Sequence, residues 1–145
     1  MKPVVTVDFD NTLAFESVTN TGWICVGTGR LLPIPKIHDL VREKHKEGFD
    51  IHVVSFREEK DKQEMVSFCK QHNLPIKSFT CTSSKTKTPI LLKLKSMLHI
   101  DDSLSVCVAA KMANINVLFV DFGQLKDNSQ KELAETLDSI KVVID

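Results

Sequence analysis

Short β-branched or apolar runs alternate with stretches of helical spacing along the chain, and this alternation limits the possible folds more than any other feature. The runs at 4–9, 50–55, 76–81, 97–101 and 117–122 read as strands. Between them, 35–46 places Ile37, Leu40 and Val41 on one face, enters through Pro35 and stops before Gly48, so both ends of a helix are marked. Further helices are expected over 59–72, from near Pro89, and over 104–113. The segment 128–140, with Leu133 and Leu137 four apart, reads as a last amphipathic helix, and the closing VVID fits either a strand or a tail. Strand and helix in alternation imply a parallel sheet joined by right-handed crossovers. The expected fold class is therefore α/β, a Rossmann-like three-layer sandwich.

One stretch breaks the alternation. ESVTNTGWICVGTGRLL, 16–32, carries three glycines and resembles a β-hairpin or flap over about 14–34 more than a helix. It is too short for a lid domain, so any cap over the sheet is minimal. With 145 residues and 42% hydrophobic composition, the chain is expected to form a single domain over 1–145.

Formal net charge is zero, so no global field draws in nucleic acid or an anionic membrane surface, and a polyanion would have to be gripped locally. No run of eighteen apolar residues and no signal-peptide pattern occurs, and the expectation is a soluble, cytoplasmic protein. Cys25, Cys69, Cys81 and Cys107 are far apart with no CxxC pair, which favours reduced thiols over a zinc site or a disulfide framework. No protein partner is legible.

The first strand run ends in Asp8 and Asp10, one residue apart, followed by Asn11 and Thr12. Residues i and i+2 of a strand share a side, so the two carboxylates are expected together with Phe9 facing away. Taking either charge out of water costs several kcal/mol unless a cation or donors meet it. In open parallel sheets the ligand crevice lies outside the carboxyl ends of the strands. Mg²⁺ suits oxygen ligands and retains open positions for a phosphate oxygen, so this pair fits a metal and phosphate site. The alternative is a strand followed by an Asx-turn, with Asn11 and Thr12 bonding only the local backbone.

Asp8-Phe9-Asp10-Asn11-Thr12 after an apolar strand resembles the DxDxT signature of the haloacid dehalogenase superfamily of phosphohydrolases. Val53-Val54-Ser55 is similar to its second motif, Lys87 or Lys85 to the lysine of its third, and Ile100-Asp101-Asp102 to its acidic fourth. The resemblance implies that Asp8 is the nucleophile that forms an aspartyl-phosphate, and that Asp10 is the acid and base that also lends its backbone carbonyl to Mg²⁺. It further implies that Ser55 donates to a phosphoryl oxygen, that Lys87 balances the charge shared by nucleophile and phosphate, and that Asp101 and Asp102 complete the metal shell with Asp8. Asp102 or Ser103 could also cap the helix that follows. Lys93 and Lys95 read as solvated helix face.

Val53-Val54-Ser55-Phe56-Arg57-Glu58 also resembles the VSGRE-like second motif in the phosphatase domain of phage-type polynucleotide kinase/phosphatases, with Phe56 where that motif has Gly. By that likeness Arg57 contacts substrate, with Thr12 and Phe56 beside it; a surface ion pair with a neighbouring acid is the alternative. Trp23 and Arg30 could stack on and neutralise a nucleotide, or Trp23 could simply pack. The expected activity is Mg²⁺-dependent hydrolysis of a phosphomonoester, with a nucleotide or polynucleotide 3′-phosphate as leading substrate. A mononucleotide, as for deoxyribonucleotidase-like enzymes, a small metabolite phosphate and a phosphoprotein follow. The rival class is a binding module that keeps the fold without turnover.

Overall fold

The computed structural model describes residues 2–17, 30–83 and 86–144. Six parallel strands form one sheet: β1 (Val4–Val7), β4 (Asp50–Ser55), β5 (Ile76–Cys81), β6 (Ser96–Asp101), β7 (Asn116–Asp121) and β8 (Ser139–Lys141). Their order is β5-β4-β1-β6-β7-β8. The chain first builds outward from β1 through β4 to β5, then returns to β6 on the opposite side of β1. The order thus reverses at β1, and a reversal of this kind opens a crevice at the carboxyl ends of the strands.

Helices cover both faces. Ile37 and Val41 of α1 (Pro35–Lys46) and Met65, Phe68 and Cys69 of α2 (Lys62–Gln71) pack with Val5, Val7 and Phe9 in one buried cluster. Leu91 of α3 (Thr88–Lys93) and Cys107 and Ala110 of α4 (Leu104–Met112) pack with Val54, Val117 and Phe119 in a second. The three-layer α/β sandwich is the arrangement that strand and helix alternation implies. Among the described residues no helix is long and apolar enough to cross a membrane.

Antiparallel β2 (Ala14–Ser17) and β3 (Arg30–Pro33) pair as a separate two-stranded sheet where the flap is expected. Trp23 and Cys25, at 18–29 between these strands, lie outside the described residues, as does Lys85.

Several boundaries differ from the sequence reading. β1 ends at Val7 rather than at Phe9, because the chain turns: the amides of Thr12, Leu13 and Ala14 all donate to the Phe9 carbonyl. Asn11 supplies the left-handed conformation of that turn at φ 58°, which Asn tolerates better than most residues. The second helix opens as a 3-10 turn over Glu59–Asp61 before α2 begins.

The expected long helix over 128–140 is a correction. α5 is only Asn128–Ala134, and the chain then turns into the short edge strand β8, which supplies the sixth strand. Leu133 remains exposed, whereas Leu137 is buried beyond the helix end, so the four-residue spacing of the two leucines does not mark one helical face.

Candidate active site

Three neighbouring strands deliver acidic or hydroxyl side chains to the crevice. Asp8 follows β1, Ser55 closes β4 and Asp101 closes β6, so the sheet order itself gathers residues distant in sequence. Lys87, just before α3, joins them from the side. Its Nζ donates to Asp8 Oδ1 and to Asp101 Oδ2, both at 2.8 Å, and all three side chains are buried. A lysine in such a place is held charged by its partners: burial alone would lower its pKa, but Asp8 and Asp101 raise it.

Asp101 is tied more tightly still. His99 Nε2 donates to its Oδ2 at 2.8 Å, and the Ser103 amide donates to its Oδ1 at 3.0 Å. Burial pushes the Asp101 carboxyl up, yet the His99 hydrogen bond and the Lys87 charge outweigh it and hold the group well below the usual carboxylate range. His99 is itself buried, with Nδ1 2.8 Å from Thr6 Oγ1, which in turn lies 2.7 Å from Ser96 Oγ. Sequence reasoning missed this chain of contacts. The available signal was the i, i+2 spacing of His99 and Asp101 on one strand, but a lone His in an apolar run does not announce a ligand.

Asp8 and Asp102 show the opposite strain. Burial, then the charge of Asp101, push Asp8 up to about 6 against the pull of Lys87. Burial, then its hydrogen bond with Asp8 and the charges of Asp8 and Asp101, push Asp102 up to about 9. Thr12 Oγ1 lies 3.4 Å from both Asp8 Oδ2 and Asp102 Oδ1, and its single proton can serve only one of them at a time. Carboxylate oxygens of Asp8, Asp101 and Asp102 lie within 4.8 Å of one another. An all-oxygen set crowded with like charge fits a hard divalent cation such as Mg²⁺, which would relieve the repulsion that adds to burial in raising two of the three groups.

Ser55 Oγ is buried and has no hydrogen-bond partner among the described residues. Leaving such a hydroxyl unmet costs about 1–3 kcal/mol, and a ligand oxygen would remove that penalty. Phe56, next in the chain, is 42% exposed, with its ring centroid 5.1 Å from Lys87 Nζ. Ser103 serves as the N-cap of α4, accepting from the Val106 amide.

Asp10 does not join the acidic cluster. Beyond Val7 the strand alternation lapses, and the Asp10 carboxylate pairs instead with Arg57. The strand expected to carry both carboxylates thus stops before either of them. Arg57, expected on substrate, lies on Asp10 and Glu64. These hydrogen bonds, that to Asp10 foremost, raise its pKa further although burial opposes the charge. Lys93 and Lys95 are exposed. Cys69, Cys81 and Cys107 are free thiols, and Arg30 opens β3 on the surface.

The fold is shared with solved haloacid dehalogenase-like proteins. A haloacid dehalogenase-like family hydrolase from Streptococcus pneumoniae superposes with a TM-score of 0.62 at 13% identity, covering 97% of this chain and 93% of that one. A protein from Mesorhizobium loti assigned as a HAD-like phosphatase gives 0.60 at 13% identity over 92% and 85% of the two chains. One from Thermotoga maritima assigned as β-phosphoglucomutase gives 0.61 at 12% identity over 96% and 94%. No family model and no curated protein matches the sequence.

Proposed function

We propose that this protein is a Mg²⁺-dependent phosphomonoester hydrolase that works through an aspartyl-phosphate on Asp8. The observation that carries the reading is the buried Asp8–Lys87–Asp101 chain at the point where strand order reverses. A structural core has little use for two carboxylates and an ammonium shut away from water, whereas phosphoryl transfer needs all three.

In the first step a carboxylate oxygen of Asp8 attacks phosphorus and the bond from phosphorus to the ester oxygen breaks. Asp10 gives that departing oxygen a proton, because an alkoxide leaves poorly. In the second step water attacks the same phosphorus, Asp10 takes a proton from it, and the Asp8 carboxylate is released with inorganic phosphate. The Ser55 hydroxyl donates to a phosphoryl oxygen, and Lys87 balances the negative charge that accumulates between nucleophile and phosphate. Asp8, Asp101, Asp102 and the Asp10 carbonyl would hold Mg²⁺, whose charge makes approach of a carboxylate to a phosphate dianion feasible.

For substrate, a nucleotide or polynucleotide 3′-phosphate remains the leading reading. The exposed ring of Phe56 beside Lys87 supports it, since a base stacked on an aromatic gains about 1–3 kcal/mol. A mononucleotide, a small metabolite phosphate and a phosphoprotein are the alternatives, and the rival from another class is a binding module without turnover.

Phosphate release from 4-nitrophenyl phosphate, nucleotides and 3′-phosphorylated oligonucleotides is the test, run with Mg²⁺ and with EDTA. Activity should require Mg²⁺ and vanish in Asp8→Asn with the fold retained. A wild type that releases phosphate from none of these would favour the binding module.

A further inference from the structure

The partners of Arg57 differ from those its sequence context suggests. Its Nε donates to Asp10 Oδ2 at 3.0 Å and its Nη2 to Asp10 Oδ1 at 2.8 Å, a two-point pairing that fixes the rotation of the carboxylate as well as its place. Its Nη1 donates to Glu64 Oε1 on α2, and its guanidinium carbon lies 5.0 Å from the centroid of the Phe9 ring. All three nitrogens therefore donate to carboxylates, and the side chain is only 16% exposed. A fork engaged in this way directs each of its nitrogens at the protein.

We propose that Arg57 is a positioning residue for Asp10 rather than a contact to substrate. It holds the Asp10 carboxylate in one rotamer, while Glu64 and the Phe9 ring hold Arg57. The consequence for turnover rests on the phosphomonoesterase reading above, but the clamp itself does not. The two roles for Arg57 differ in what they act upon. A positioning residue affects every substrate through the chemical step, because a displaced proton donor is misaligned whatever leaves. A substrate contact affects only substrates bearing the group it grips, and mainly through binding.

Two measurements decide the matter. In the first, Arg57→Gln and Arg57→Lys are assayed on 4-nitrophenyl phosphate and on a 3′-phosphorylated dinucleotide. Arg57→Gln should lower kcat on both by about 10- to 100-fold with KM unchanged, the scale of loss that slight misplacement of a catalytic group produces. Arg57→Lys keeps the charge without the fork and should recover only part of the rate. In the second, urea unfolding of wild type, Asp10→Asn, Arg57→Gln and the double variant should be non-additive, as expected for residues in direct contact.

A loss confined to KM for the dinucleotide, with the aryl phosphate turned over at the wild-type rate, would overturn the proposal in favour of substrate contact. Additive unfolding would overturn it as well. If wild type hydrolyses neither probe while unfolding remains non-additive, the clamp stands and only the phosphatase reading fails.

Discussion

Asp8 and Asp10 are separated by one residue, yet they occupy two different kinds of environment. The Asp8 side chain is 9% exposed and sits in a buried chain of Lys87, Asp101 and His99, packed against the sheet. That of Asp10 is 47% exposed and answers to a single guanidinium reached from the next strand end. Under the proposed mechanism, burial and fixed charge suit a group that must hold one geometry against phosphorus. Partial exposure suits one that must exchange a proton with a leaving group and then with water. β1 ends at Val7, ahead of both acids, and the turn at Asn11 follows at once, so one residue type meets two surroundings within three positions.

Asp10→Asn probes the exposed side of this contrast and should have the largest effect. Under the proposed mechanism the change removes the proton exchange while leaving the buried chain intact, so kcat should fall by about 10²- to 10⁴-fold with KM near its wild-type value. A rise in KM at unchanged kcat would count against the assignment.

Lys87→Met probes the buried side. Two carboxylates would be left facing each other without their cation, and breaking a buried pair in this way costs about 3–5 kcal/mol. Urea unfolding without metal reads this loss, and added Mg²⁺ should restore part of it. A variant as stable as wild type would show that the ammonium is not the counter-charge of this cluster.

The smallest effect concerns the joint between the two sides. His38 of α1 lies 2.7 Å through Nε2 from the carbonyl of Leu13, in the turn that follows Asp10. Burial lowers its pKa below the ordinary value of 6.5, outweighing the Leu13 hydrogen bond that raises it. A histidine kept neutral in the fold contributes stability that is present above about 6.5 and lost as pH falls toward the folded value. Wild type should therefore lose more unfolding free energy between pH 7.5 and pH 5.5 than His38→Gln does, by at most about 1 kcal/mol. Equal losses would remove His38 as the acid-sensitive element.

Much of this site was legible from local pattern. β-branched runs placed the strands, and an acid or hydroxyl at the end of each of three runs placed Asp8, Ser55 and Asp101 at one edge of the sheet. Lys87 could be preferred over Lys85 only because it directly precedes a helix start at Pro89; its burial between two carboxylates depends on how α3 packs. What stayed hidden arises from cross-strand register and from long separations. His99 meets Thr6 because those two residues are register partners of β6 and β1. Arg57 reaches Asp10 across a separation of 47 positions. At the other end of the chain, the leucine spacing imitated a helix where a turn and an edge strand intervene.

Cys107 lies directly beneath the acids, its Sγ 3.6 Å from the carbonyl of Asp101. Burial, and then the nearby charges of Asp101 and Asp102, push its thiol far above the range in which a thiolate forms at neutral pH. A sulfur so close to the centre would ordinarily make an enzyme vulnerable to electrophiles and peroxides. Here the buried sulfur is kept as the neutral thiol and acts as a small apolar filler beneath the acids.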